Sequence, residues 1–122
     1  MIGYVTVGTN DFERAAGFYD ALLAEIGAKR AMEMETFIAW ATAPNTPMIA
    51  IIKPFDKKPA TVGNGVMVAI MVDSKEKVQA LYKKALALGG KDEGAPGERG
   101  PGFYAGYFRD LDGNKLNAFV LG

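Results

Sequence analysis

Two stretches of the chain begin with alternating apolar positions and then change period. Residues 4–8, YVTVG, alternate with a period of two, and FERAAGFYDALLAEIG follows with apolar residues three and four apart. The same change recurs where MVAIMV gives way to SKEKVQALYKKALALGG. A period of two predicts a half-buried strand, and a three-to-four spacing predicts an amphipathic helix. Phe12, Ala15, Ala16, Tyr19, Leu22, Leu23 and Ile26 form the stripe of the first helix; Val78, Leu81, Tyr82, Ala85 and Leu88 form that of the second. Thr9, Asn10 or Asp11 caps the first helix and Asp73 or Ser74 the second. Gly27 and the pair Gly89-Gly90 supply the left-handed stops.

The two stretches form an internal repeat. Tyr4 and Met67 stand 63 positions apart, as do Phe18-Tyr19 and Leu81-Tyr82, Leu23 and Leu86, and Gly27 and Gly90. After each helix the pattern returns to strands. The first half offers about 28–34, 36–42 and 48–53, with Pro44, Asn45 and Pro47 separating the last two. The second offers about 91–94, 103–109 and 115–121, with Asp110-Leu-Asp-Gly-Asn114 as a hairpin turn. The expected fold is α+β: two paired βαβββ modules forming a curved eight-stranded mixed sheet, helices on the outer face, a concave groove within. One domain spans 1–122, with module 1 over about 1–54, a linker over about 55–65 and module 2 over about 66–122. An unrelated α+β sandwich is the competing architecture, but it does not call for matching halves.

Composition then narrows the chemistry. Lys and Arg number 14, as do Asp and Glu, so no basic footprint invites nucleic acid or an anionic membrane. The absence of cysteine excludes disulfides, zinc–thiolate sites and thiol catalysis; the absence of histidine removes the commonest metal ligand and general base. No signal-like segment or membrane-length apolar run is present, and the expected location is cytoplasmic.

The stretches YVTVGTNDFERAAGFYDALLAEIGAK and GFYAGYFRDLDGNKLNAFVLG carry a family resemblance. Over nearly its whole length the chain resembles the vicinal oxygen chelate superfamily of glyoxalases, bleomycin-resistance proteins, fosfomycin-resistance enzymes and extradiol dioxygenases. FRDLDGNKLN is similar to that family's F-x-DPDGN-x-hydrophobic-E hairpin, with Leu111 in place of proline and Asn117 in place of glutamate. The resemblance implies paired βαβββ modules and a homodimer, with modules exchanged or paired between chains. It also implies that metal-dependent members draw their ligands from the first and last strand of each module. Carried onto this chain, those positions hold Tyr4, Ala50, Met67 and Asn117. A phenol, a methyl, a thioether and an amide do not suit a divalent cation, so neither metal nor cofactor is expected. The carboxylates Glu33, Glu35, Asp73 and Asp92 fall elsewhere.

Alternation assigns the rest of the groove. If Tyr4 points inward, so do Thr6 and Gly8; if Met67 does, so do Ala69 and Met71, with Val66, Val68, Ile70 and Val72 beneath the helices. On the last strand Asn117, Phe119 and Leu121 share the inward face. A five-residue turn places Arg109 opposite Lys115 and Tyr107 opposite Asn117, bringing Ala105, Tyr107 and Arg109 inward; a four-residue turn substitutes Tyr104 and Phe108. Carrying the spacing between Ala50 and Asn117 back from Tyr107 reaches Trp40. The expected wall is Tyr4, Trp40, Met67, Met71, Tyr107 and Phe119, with Arg109 and Asn117 as polar points. Such a surface suits a flat organic ligand, although the same side chains also serve as ordinary core. Residues 94–106, rich in glycine, lack the spacing of a phosphate loop; they form either a surface loop or a flap from which Arg99 and Phe103 reach in.

Three functional readings follow. The first is a metal-independent small-molecule-binding protein of the bleomycin-resistance kind, taking an aromatic or weakly anionic ligand. The second is a glyoxalase-like lyase or isomerase, or a dioxygenase-related enzyme, with Tyr4, Tyr107 and Arg109 as catalytic candidates. The third is a scaffold module whose groove is filled by its own side chains.

Overall fold

The structure, a computed structural model, describes all 122 residues. The first module runs β1 (Tyr4–Gly8), α1 (Phe12–Ala24), β2 (Lys29–Met34), β3 (Phe37–Ala41) and β4 (Met48–Ile52). The second runs β5 (Val68–Met71), α2 (Lys75–Ala87), β6 (Lys91–Glu98), β7 (Phe103–Arg109) and β8 (Lys115–Leu121). Of the possible caps, Asp11 accepts from the Arg14 N–H at 3.2 Å and Ser74 from the Lys77 N–H at 3.1 Å. Gly27 and Gly89 take the left-handed conformation, at φ 77° and 99°. Gly90 is required for space: a Cβ there would lie 2.6 Å from the Arg109 carbonyl oxygen.

The eight strands form two four-stranded mixed sheets, ordered β1-β4-β3-β2 and β5-β8-β7-β6. In each, the module's first strand lies parallel to its last, and the other pairs are antiparallel. The α+β class and the paired βαβββ modules are those the repeat predicts. No ladder joins β1 to β5, so the strands make two sheets and not one continuous one. Strand β6 runs past residue 94, where the glycines and Pro96 signal a loop. Two properties allow this: β6 is an edge strand, so the missing N–H of Pro96 costs no ladder bond, and its register slips at Asp92/Gly94 and Gly94/Gly97.

The helix-covered faces of both sheets share one core. Val7, Ile38, Trp40 and Ile51 enter it from the first sheet, and Ile70, Phe108, Leu116 and Ala118 from the second. Helix α1 buries Ala15, Ala16, Phe18, Tyr19, Leu22 and Leu23, and α2 buries Val78, Leu81 and Ala85. Phe18 lies outside the stripe read from the sequence. It is buried because α1 packs on β2, β3 and β4 and also meets α2, which needs a broader apolar face.

A polar junction ties the modules together. The Tyr19 hydroxyl donates to Asp110 Oδ2 at 2.6 Å, in a buried contact between residues 91 positions apart. The same carboxylate accepts from the Asp112 N–H, the Asn114 N–H and the Asn114 side-chain amide, each at 2.9 Å. Asn114 also donates to the Gly8 carbonyl at 2.9 Å, and the Asn10 N–H donates to Asp112 Oδ1 at 3.0 Å. The β7–β8 turn therefore docks on the β1–α1 junction. Burial, followed by the charge of Asp110, pushes the Tyr19 hydroxyl well above its ordinary value of 10.0.

Because the folded state holds the Tyr19 proton more tightly, this contribution is complete below pH 10 and is lost as pH rises into the folded-state range. Urea denaturation should show Tyr19→Phe to be less stable by about 1–3 kcal/mol at pH 7, the scale of a buried hydrogen bond to a charged acceptor. Between pH 7 and 11 the wild type should lose more stability than the variant; parallel losses would contradict this account.

Candidate functional site

Alternation sorts the strand residues between the shared core and a helix-free face. On the first sheet, Phe37, Ala39 and Ala50 form a small separate cluster with Met48 and Ile52 on the helix-free side. Tyr4 joins them, its ring edge-on to Phe37 at 5.6 Å, and is 54% exposed. On the second sheet Leu116, Ala118 and Phe108 face the core. Their alternates Ala105, Tyr107, Arg109, Lys115, Asn117 and Phe119 lie on the helix-free face. The register is the one that a five-residue turn requires, Arg109 opposite Lys115 and Tyr107 opposite Asn117. Phe103 stacks on Phe119 at 5.3 Å, and Met71 stands 65% exposed on β5.

The structure corrects the expectation for Trp40. It is 2% exposed on the core side, 5.7 Å from the Tyr19 ring, with its indole N–H donating to Asp20 Oδ1 at 2.8 Å. The Arg30 hydrogen bonds, and then that of Trp40, hold the Asp20 carboxyl below its ordinary value. The cause of the misplacement is one residue. Ala39 pairs with Ala50, whereas Tyr107 pairs with Asn117, because the β3–β4 connection, 42–47, is one residue longer than the 110–114 turn. Ala39 is thus the counterpart of Tyr107, and Trp40 that of Phe108. Trp40 does meet Met67 and Met71, but at the seam between modules, in an apolar hollow of about 530 Å³. Val66 also departs from expectation: it is exposed in the linker and not beneath a helix.

A second hollow, of about 660 Å³, lies between the 62–66 linker and the second sheet and is lined by Met67, Tyr107, Arg109 and Lys115. Tyr4 lines neither hollow; the wall expected from sequence is divided between two sheets. Beside the Tyr107 strand pair, Asn117 is 1% exposed and its Oδ1 has no hydrogen-bond partner, so no tyrosine hydroxyl satisfies it. Arg109 donates to the Gly113 carbonyl at 3.0 Å and to the Glu93 carboxylate at 2.5 Å. That hydrogen bond, reinforced by its charge, holds the Glu93 carboxyl below its ordinary value. Two further cations lie over the Tyr107 ring: the Arg99 guanidinium at 5.5 Å and the Lys115 ammonium at 5.6 Å. Sequence reasoning passed over Lys115, although its parity with Asn117 places it on this face.

The donor set does not fit a divalent metal. The positions at which the resemblance places ligands hold Tyr4, Ala50, Met67 and Asn117, and nowhere do three His, Cys, Asp or Glu side chains gather to hold an ion.

These features converge with similarity to known proteins. Residues 1–118 match the sequence model of the Glyoxalase/Bleomycin resistance protein/Dioxygenase superfamily, and the chain belongs to that superfamily. It is similar to a glyoxalase/bleomycin resistance protein from Albidiferax ferrireducens T118, at 34% identity and a TM-score of 0.92, over 100% of this chain and 99% of that one. It is also similar to hypothetical protein SA1046 from S. aureus, at 25% identity and TM-score 0.75, over 98% and 92% of the two chains. Lactoylglutathione lyase from Agrobacterium tumefaciens shares the fold at 18% identity and TM-score 0.71, over 98% and 92%. No curated protein matches the chain. No helix is long and apolar enough to cross a membrane.

The donor chemistry yields a direct test. Purified protein dialysed against EDTA should keep its melting temperature, and zinc, nickel, manganese or iron should not be retained stoichiometrically. A bound equivalent of metal lost on Asn117→Leu substitution would contradict the assignment.

Proposed function

We propose that the chain is a cytoplasmic, metal-independent small-molecule-binding protein of the glyoxalase/bleomycin-resistance type. Its ligand is flat, aromatic or weakly anionic, and lies on the helix-free face of the second sheet against Met67, Met71, Tyr107, Arg109, Asn117 and Phe119. The observation that carries this reading is the hollow of about 660 Å³ on that face, where Met67 and Tyr107 offer apolar surface and Arg109 and Lys115 offer donors. The surrounding rings and thioethers supply apolar area for the rest of the ligand.

The same reading includes a homodimer in which the first sheet of one subunit faces the second sheet of the other, so that Tyr4 of the partner subunit enters the groove. Its support lies in β1 and β5, each hydrogen-bonded along only one side, and in the exposed apolar residues Tyr4, Met67, Met71 and Leu121 beside them. An enzymatic reading is favoured by one observation, the two cations over the Tyr107 ring. In that case turnover would survive EDTA and vanish in Tyr107→Phe.

Thermal melting across a panel of aromatic compounds tests binding. Wild type should gain several degrees with at least one compound. Asn117→Leu should melt higher without ligand, by the equivalent of about 1 kcal/mol, because an apolar side chain of similar shape replaces an unsatisfied one. Tyr107→Ala should lose the ligand-induced shift. A panel that leaves the wild type unmoved would remove the binding reading. Light scattering at micromolar concentration should give the mass of two chains, and a monomer would contradict the dimer.

A further inference from the structure

We infer that the groove selects a carboxylate borne on a flat ring, and that Arg99 and Lys115 are the residues that select it. The inference rests on the preceding reading that this face binds a ligand, and adds the chemical class.

Charge is the first argument. Neither Arg99 nor Lys115 has a carboxylate within ion-pair distance, whereas the neighbouring Arg109 is engaged by Glu93. The chain is neutral as a whole, so two cations over one ring, neither in an ion pair and only Lys115 acting at longer range on Glu93, are a local feature, not a reflection of composition.

The second argument is that Arg99 is seated. Its Nη2 donates to the Ala95 carbonyl at 2.6 Å, and the guanidinium lies where β6 slips register. A Cβ on Gly97 would stand 2.9 Å from Nη1, and one on Gly94 would stand 3.3 Å from Nη2. The absence of side chains at the two glycines leaves room for the exposed guanidinium beside Tyr107, and one backbone carbonyl accepts from it. Most of its N–H donors remain free for a planar oxyanion, the geometry to which guanidinium is matched. Lys115 adds a second point charge over the same ring. Together these favour a ring that bears an acidic group.

NMR titration of the intact protein with 2-naphthoate and with its neutral counterpart 2-naphthamide tests this. Naphthoate should bind about tenfold more tightly, on the scale of one charge-assisted contact. Arg99→Gln and Lys115→Gln should each erase most of that preference by weakening naphthoate binding far more than naphthamide binding, and Arg99→Lys should retain part of it. Gly97→Ala should weaken naphthoate binding with Arg99 still present, because its methyl occupies the room left for the guanidinium; an unchanged affinity there would overturn the seating of Arg99. Equal affinities for the two compounds in wild type would overturn the carboxylate inference and leave the groove reading standing. Shifts from neither compound would remove the groove reading and this inference with it.

Discussion

One carboxylate organises the junction of the two modules. Asp110 accepts four hydrogen bonds, three from its own hairpin turn and one from Tyr19 on α1. A buried charge is tolerable only when its lone pairs are satisfied in this way. The turn is thereby held at five residues, and the turn length sets the β7–β8 register. That register in turn puts Tyr107, Arg109 and Lys115 on the same side as Asn117. The helix-free face of the second sheet is thus built from a turn that a tyrosine of the first module helps to hold.

The same constraint bears on the electrostatics of the face. Arg109 follows β7 to its end, where it meets Glu93 from β6 and the carbonyl of Gly113 in the turn. It is held by protein groups on both sides. Arg99, held by a carbonyl and an aromatic ring, and Lys115, over the same ring and acting on Glu93 only at longer range, make no ion pair. The sheet contributes one arginine to structure and leaves two other cations over Tyr107.

Much of this was legible in the chain because it is local. The polar residues before each apolar stripe, the glycines after it and the DLDGN turn each act within a few residues, and the helices and strands fall where they place them. The repeat exposed the βαβββ modules and the family. What escaped is non-local or depends on a count of one. Trp40 faces the core because a single added residue in 42–47, relative to 110–114, shifts parity between the modules, which the repeat alone does not reveal. The Tyr19–Asp110 contact spans most of the chain and leaves no periodic trace. The strand character of 95–98 was masked by Pro96 and its flanking glycines, which in isolation favour a loop. Whether β1 and β5 pair with each other is likewise a matter of how modules dock, which alternation within a strand does not encode.

The irregularities of the outer strands have a consequence of their own. Strand β6 carries Pro96 and two register slips, and β2 slips between Arg30 and Met32, whereas β1 and β5 pair without interruption. Each sheet therefore has one rim able to accept another strand and one rim spoiled for it. Strand addition to this fold is thereby confined to β1 and β5, and the irregular outer rims at β2 and β6 are closed to it.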